Sequence, residues 1–219
     1  MRAWSKQELL IAIAAERAAL AEQLAEVDEV QWATPSLCAG WTVEHVVAHL
    51  TAAASIGPLR WLRSMSGARF DDAVHNQRRL EEHLGPTPSG TLERFRAVVD
   101  SRTAASGHWP AWLGEVIVHG QDIRIPLGLP TPTPPDRAAQ VAAFFAARDF
   151  AVASRSAVRG LRVEASDAEL GVGDGPLVRG PAVALVVSMA GRSAMLDRLE
   201  GDGAAMLAER IAAPREPRP

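Results

Sequence analysis

A chain of 219 residues that is 47% hydrophobic and 22% charged has enough apolar content to bury one large core or two smaller ones, which places it among globular proteins. Its formal net charge of −3 supplies no concentrated basic face, so nucleic acid and anionic membrane surfaces are not expected as partners. The only cysteine, Cys38, rules out an internal disulfide and suits a reducing cytoplasm.

The opening MRAWSKQELL soon becomes amphipathic through Glu8, Glu16 and Glu22, unlike the apolar core of a secretion signal. Leu9, Leu10, Ile13, Leu20, Leu24 and Val27 recur at helical intervals and predict a first helix ending near Asp28. Ser5 and Glu8 form the sequence of a capping box at its start. The connector WATPSLCAGW follows, where Pro and Gly interrupt regular structure. A second helix is predicted from Thr42, its cap, through Val43, Val46, Val47, Leu50 and Ala54 to the Pro58 region, with Trp41 packing on Val46 as a hydrophobic staple. It carries His45 and His49 one turn apart.

A shorter helix is expected within DDAVHNQRRLEEHL, ended by GPTPSG. Leu92, Phe95, Val98 and Val99 predict a long helix over 91–106, and another follows from Pro110 to Pro126, terminated by Pro126 and Gly128. The segment PTPTPP is a stiff connector into a further helix through DRAAQVAAFFAARDFAVAS. These elements predict an antiparallel four-helix bundle with one longer connection. Beyond about Gly160 the composition changes. Leu161 and Val163 alternate as in a half-buried strand, and Pro181 opens an apolar helix that stops at Gly191. That helix, within GPAVALVVSMAG, has about ten apolar residues, too few to span a bilayer. The segment GDGAAMLAERI reads as a last helix. The predicted class is therefore α+β: a helical bundle over 1–158, a small mixed α/β domain over 159–213 and a disordered tail over 214–219. The stretches GVGDG and GDG lack the spacing of a phosphate-binding loop and read as turns.

Chemistry concentrates in GEVIVHGQDIR. Glu115 and His119 lie four residues apart, on one helical face, where a carboxylate oxygen and an imidazole nitrogen can converge on one ion. The same spacing also suits a plain polar pair at a bundle edge. Val116, Ile117 and Val118 favour an inward-facing helix, in which a carboxylate needs a partner or an ion to offset its desolvation. A third ligand must come from another element, and spacing alone leaves both His45 and His49 open. Two nitrogens and one oxygen suit Zn²⁺ with a free coordination position.

The stretches WATPSLCAGWTVEHVVAHL and EVIVHGQDIRIPLG, in that order, with GPLVRGPAVALVVSMAGR and LEGDG further on, resemble the mycothiol-dependent maleylpyruvate isomerase-like family of the DinB-like metal-binding bundles. The resemblance covers nearly the whole chain. It implies a metal held by His49, Glu115 and His119, leaves His45 outside the motif, and matches Arg192 to an arginine that reaches an anionic substrate. For Arg192 a salt bridge or a solvated charge is the plainer alternative. Asp122 suits a hydrogen bond to the free ring nitrogen of His119, but equally a pairing with Arg124 or a local cap. Gln121 reads as a helix-end polar residue. Cys38 reads as a packed, inert thiol in a structural turn, with the reactive sulfur supplied by a bound low-molecular-weight thiol. Trp32, Trp41, Trp61, Trp109 and Trp112 read first as packing residues between helices, and Trp61, Arg60 and Arg63 as possible borders of a pocket.

The implied function is a divalent-metal-dependent, mycothiol-dependent isomerase or transferase acting in the cytoplasm on a small electrophile such as maleylpyruvate. Reversible thiol addition would free a double bond to rotate. Zn²⁺ and mycothiol are the implied cofactors, a small-molecule substrate is the implied partner, and the protein is expected as a monomer or homodimer. The alternatives are a non-catalytic metal-binding or regulatory protein on the same bundle, and a metal-assisted hydrolase.

Overall fold

Helix α1 (Lys6–Leu24) begins at the capping box: Ser5 Oγ accepts from the Glu8 amide at 3.3 Å, and the Ser5 amide donates to Glu8 Oε2 at 2.8 Å. The structure is a computed structural model that describes residues 1–67 and 71–213, and only the backbone of residues 72 and 73; the tail expected to be disordered, 214–219, lies outside the described residues. The chain divides into two compact units, residues 5–132 and residues 133–219 together with 1–4.

In the 5–132 unit, α1 is followed by a short 3₁₀ turn (Glu29–Ala33) and then α2 (Val43–Ser55), α3 (Pro58–Gly67), α4 (Asp72–His83), α5 (Pro88–Arg96) and α6 (Trp109–Leu127). Helix α1 packs on α6, and α2 packs on α4, α5 and α6. Leu20, Leu24, Val43, Val46, Val47, Leu50, Phe95, Leu113 and Ile117 are buried where these helices meet. Burying such side chains contributes roughly 1.5–3 kcal/mol each, so this shared core sets the rotation of every helix that carries a candidate site residue.

Two helix ends, those of α2 and α5, differ from the sequence expectation. Helix α2 stops at Ser55 because Ile56 is extended ahead of Gly57 and Pro58, and the chain restarts as α3 with Pro58 at its first position. Helix α5 ends at Arg96, well short of 106, and in the segment beyond it Arg17 Nη1 donates to Val98 O at 3.3 Å and to Ser101 O at 3.0 Å. Helix α6 runs through Pro126 and closes, as expected, at Gly128, whose φ of 65° is the left-handed conformation that glycine adopts freely.

The other unit holds α7 (Pro135–Ala147), the single turn α8 (Ser154–Ala157), strands β1 (Arg162–Ala165), β2 (Gly171–Val172) and β3 (Leu177–Gly180), and helices α9 (Ala182–Met189) and α10 (Asp202–Ala212). The sheet order is β2-β1-β3. Val163 pairs antiparallel with Val172 and parallel with Val178. Helix α9 is buried along its whole length, and α7 packs on it with the small residues Ala138, Ala139 and Ala142. That packing groups α7 with the sheet, and residue 158 lies inside this unit. Gln140 ties residues 1–4 to it, donating to Arg2 O at 2.9 Å and accepting from the Trp4 amide at 3.1 Å. The class is α+β, a helical bundle with a small mixed α/β region bearing a three-stranded sheet. Among the described residues no helix is long and apolar enough to cross a membrane.

Candidate metal centre

The connector before α2 is a built turn. Ser36 Oγ accepts from the Cys38 amide at 3.1 Å and donates to Trp41 O at 2.8 Å, the Trp41 amide donates to Cys38 O at 3.0 Å, and Gly40 takes a φ of 78°. Pro35 and Thr42 close it as an isolated β-bridge. The turn is anchored on α6 through a gap in that helix. Pro126 has no N–H to give the carbonyl four residues earlier, Asp122 O, and the Leu37 amide donates to that oxygen instead, at 3.2 Å.

Helix α2 then starts at Thr42, whose Oγ accepts from the His45 amide while His45 Nδ1 accepts from the Thr42 amide at 3.1 Å. His45 therefore serves its own helix start. One turn later His49 is turned inward and only 7% exposed. Its Nε2 lies 2.9 Å from Glu115 Oε1 on α6, and the ring of Trp41 packs against it at 5.1 Å between centroids.

Helix α6 supplies the rest. Glu115 Oε1 is 3.8 Å from His119 Nε2, and the rings of His49 and His119 meet edge to face at 4.8 Å. One ligand atom from each of His49, Glu115 and His119 falls within 4.8 Å of the others, an arrangement able to hold a metal ion. Tetrahedral Zn²⁺ with bonds near 2.0–2.1 Å sets its ligand atoms about 3.3 Å apart. The separations of 2.9 and 3.8 Å bracket that value, so the donor set fits a divalent ion.

The two imidazoles are held differently. His119 Nδ1 lies 2.9 Å from Asp122 Oδ2, which leaves Nε2 facing Glu115. His49 Nδ1 is buried without a hydrogen-bond partner among the described residues, so Glu115 and the packing of Trp41 orient that ring. Burial disfavours charge on His119, but the hydrogen bonds to Asp122 and Cys38 and the nearby Glu115 carboxylate outweigh it and raise its pKa to about 10. The metal-free centre thus holds an imidazolium between two carboxylates.

Asp122 is fully buried, and Cys38, read from the sequence as a packed thiol in a structural turn, lies against it. Its Sγ donates to Asp122 Oδ2 at 3.1 Å and lies 3.5 Å from His119 Nδ1. Cys38, His119 and Asp122 also meet the spacing for an ion. No helical or strand periodicity runs through the connector, so the sequence carried no signal for this approach. Arg17 was missed for another reason, because its position on α1 falls within an apolar stripe. It is 4% exposed, and burial lowers its pKa to about 10 while Glu115 opposes the fall, so it stays charged at neutral pH.

The remaining candidates have structural partners. Arg124 is 1% exposed and donates through Nε to Gln23 at 2.7 Å, with the charge of Glu16 beside it. Gln121 is buried and accepts from Thr131 at 2.9 Å. Trp32 is core, Trp112 donates to Ser106 O at 2.9 Å, Lys6 Nζ sits 4.9 Å over the Trp109 ring, Trp61 meets His75 at 6.3 Å, and Arg60 pairs with Glu82. A cleft of about 460 Å³ in the same unit is lined by Leu24, Trp32, Leu92 and Arg96 among others, and by none of the three clustered residues. Arg192 belongs to the other unit, where its Nη1 donates to Ala190 O at 3.0 Å.

Residues 13–112 match the family model of the mycothiol maleylpyruvate isomerase N-terminal domain. The matched span takes in α2 with His49 and ends before Glu115 and His119. In fold, the chain is similar to the crystal structure of the mycothiol-dependent maleylpyruvate isomerase, with a TM-score of 0.64 and 19% identity over 93% of this chain and 97% of that one. The structure of a histidine-to-alanine mutant of that isomerase is similar too, with a TM-score of 0.64 and 18% identity over the same shares. No curated protein sequence matches the chain.

Proposed function

We propose that the chain is a divalent-metal-dependent enzyme that uses a low-molecular-weight thiol, mycothiol in the family it matches, to isomerise or transfer onto a small electrophilic substrate such as maleylpyruvate. The observation that carries the proposal is the convergence of His49, Glu115 and His119 from two helices, with one ligand atom of each within 4.8 Å of the others, a donor set able to hold a divalent ion. A divalent ion held there would supply the Lewis acidity that keeps a thiol ionised near neutral pH.

The chain's own residues supply the rest. Glu115 contributes the negative charge that offsets a dication, and the two imidazoles contribute neutral donors, which leaves a net charge able to favour an anionic sulfur. Asp122 holds the His119 ring in one orientation through Nδ1. The ring of Trp41 packs against that of His49. Arg17, charged and buried near Glu115, favours the ionised form of that carboxylate. For Arg192 the role of binding a substrate carboxylate rests on the sequence resemblance and on the fit of a guanidinium to that group.

The test is metal analysis joined to turnover of maleylpyruvate with and without mycothiol, with His49→Ala as control. Stoichiometric metal in the parent, its loss in the variant, and turnover only with the thiol would support the proposal. Turnover without thiol would instead assign a hydrolase, and metal binding without any turnover a non-catalytic protein.

A further inference from the structure

We infer that Cys38 is a positioning residue of this centre: its thiol and His119 together fasten the Asp122 carboxylate, and so fix the ring face that His119 Nε2 turns toward Glu115 and His49. The inference rests on the reading of His49, Glu115 and His119 as metal-binding residues.

Asp122 has no exposed surface, and a carboxylate removed from water needs donors. The same oxygen, Oδ2, has His119 Nδ1 at 2.9 Å and Cys38 Sγ at 3.1 Å. The first contact is local, three residues along α6. The second comes from a connector 84 positions away in the chain. Two donors from two different elements thus hold one carboxylate oxygen.

Delivery of the thiol is itself built into the fold. Pro126 exposes Asp122 O, and the Leu37 amide occupies it at 3.2 Å, so the residue adjacent to Cys38 is docked on the backbone of the very aspartate whose side chain Cys38 contacts. Ser36 and Gly40 shape the turn between, and the same turn carries Trp41 onto His49. One connector therefore sets both imidazoles, one through Asp122 and one by direct packing. A hydroxyl retains the donor at this position, whereas a methyl or isopropyl group does not.

The test compares the parent chain with Cys38→Ser, Cys38→Ala and Cys38→Val, the last filling the thiol's volume should the alanine variant not fold. Zn²⁺ affinity is measured by competition with a chromophoric chelator, the Co²⁺-loaded proteins by absorption, and the metal-free proteins by long-range ¹⁵N–¹H correlation of the imidazoles. Partners outside the ligand set of a metal site change affinity by about 10–100-fold. The expected result is a loss of about 10-fold for alanine and valine, recovery to within about 3-fold for serine, no sulfur-to-cobalt charge-transfer band, and a changed tautomer or exchange broadening of His119 in the metal-free alanine variant. Affinity in the alanine and valine variants equal to that of the parent, or a serine variant as weak as they are, overturns the inference. A charge-transfer band overturns it by placing the sulfur on the metal. A parent that takes up no Zn²⁺ refutes the centre itself, and unchanged His119 signals in metal-free Cys38→Ala or Cys38→Val then overturn the role of Cys38 separately.

Discussion

The amide of Leu37 donates to the backbone carbonyl of Asp122 at 3.2 Å, in the place that a helical N–H would hold if residue 126 were not proline. A proline near the end of α6 is thus a docking point for the connector that leads into α2. Replacing it restores the competing donor. Pro126→Ala is expected to leave α6 helical while weakening the connector's anchor by about 1 kcal/mol, the usual net worth of one such hydrogen bond. Native-state hydrogen exchange should show the Leu37 amide about 5-fold less protected in the variant; unchanged protection would contradict the docking argument.

Glu115→Gln keeps the shape of the side chain and removes the charge that balances a dication. It is expected to lower Zn²⁺ affinity by at least about 100-fold, or roughly 2.7 kcal/mol. Asp122→Asn, which leaves His119 with a weaker and reorientable partner, should cost about 10–100-fold. Titration calorimetry on both variants gives the order. A larger loss for Asp122→Asn than for Glu115→Gln would reverse the assignment of which carboxylate faces the ion.

The state of His119 would make metal uptake at this centre a proton-coupled event. With its folded pKa raised to about 10, the metal-free protein carries an imidazolium at neutral pH, and a metal can bind only as that proton leaves. Affinity should therefore rise with pH, and calorimetry in buffers of different ionisation enthalpy should show protons released on binding. For folding the sign is the opposite. A folded pKa above the unfolded value of about 6.5 gives stabilisation that is complete below pH 6.5 and is lost as pH climbs through about 10. The denaturation midpoint of the metal-free protein should fall over that window, and a flat profile would show that His119 is not held as a cation.

Gly120 faces the guanidinium of Arg124. A Cβ there would lie 2.5 Å from Arg124 Nη1, and that side chain has little freedom to yield, being 1% exposed and held by Gln23. Alanine in a helix normally gains about 1 kcal/mol over glycine. Here overpacking of about 1–3 kcal/mol is expected to win, so Gly120→Ala should lower the Tm. A rise in Tm would show that Arg124 can move aside.

Much of the local architecture was legible before any coordinates, because caps and periodicities are short-range. Ser5 with Glu8, Thr42 before α2, and Gly128 after α6 each mark a helix end through backbone groups that need a partner within a few residues. The helix over 91–106 misled for the complementary reason. Val98 and Val99 continue its apolar pattern, but the helix stops at Arg96, and Arg17, 81 positions away from Val98, donates to the Val98 carbonyl just beyond it.

From sequence alone followed the helical bundle with a mixed region behind it, and the placement of Glu115 and His119 on one face, since a spacing of four residues corresponds to about one turn. The choice between His45 and His49 did not follow from spacing. Tertiary structure brings His49 to Glu115 across 66 positions and turns His45 back on Thr42. It also carries the Cys38 thiol to Asp122 and buries Arg17 near Glu115. Periodicity names the face of a helix, whereas the rotation of one helix against another, and the path of an irregular connector, are set by the packing of a core whose side chains come from the whole bundle.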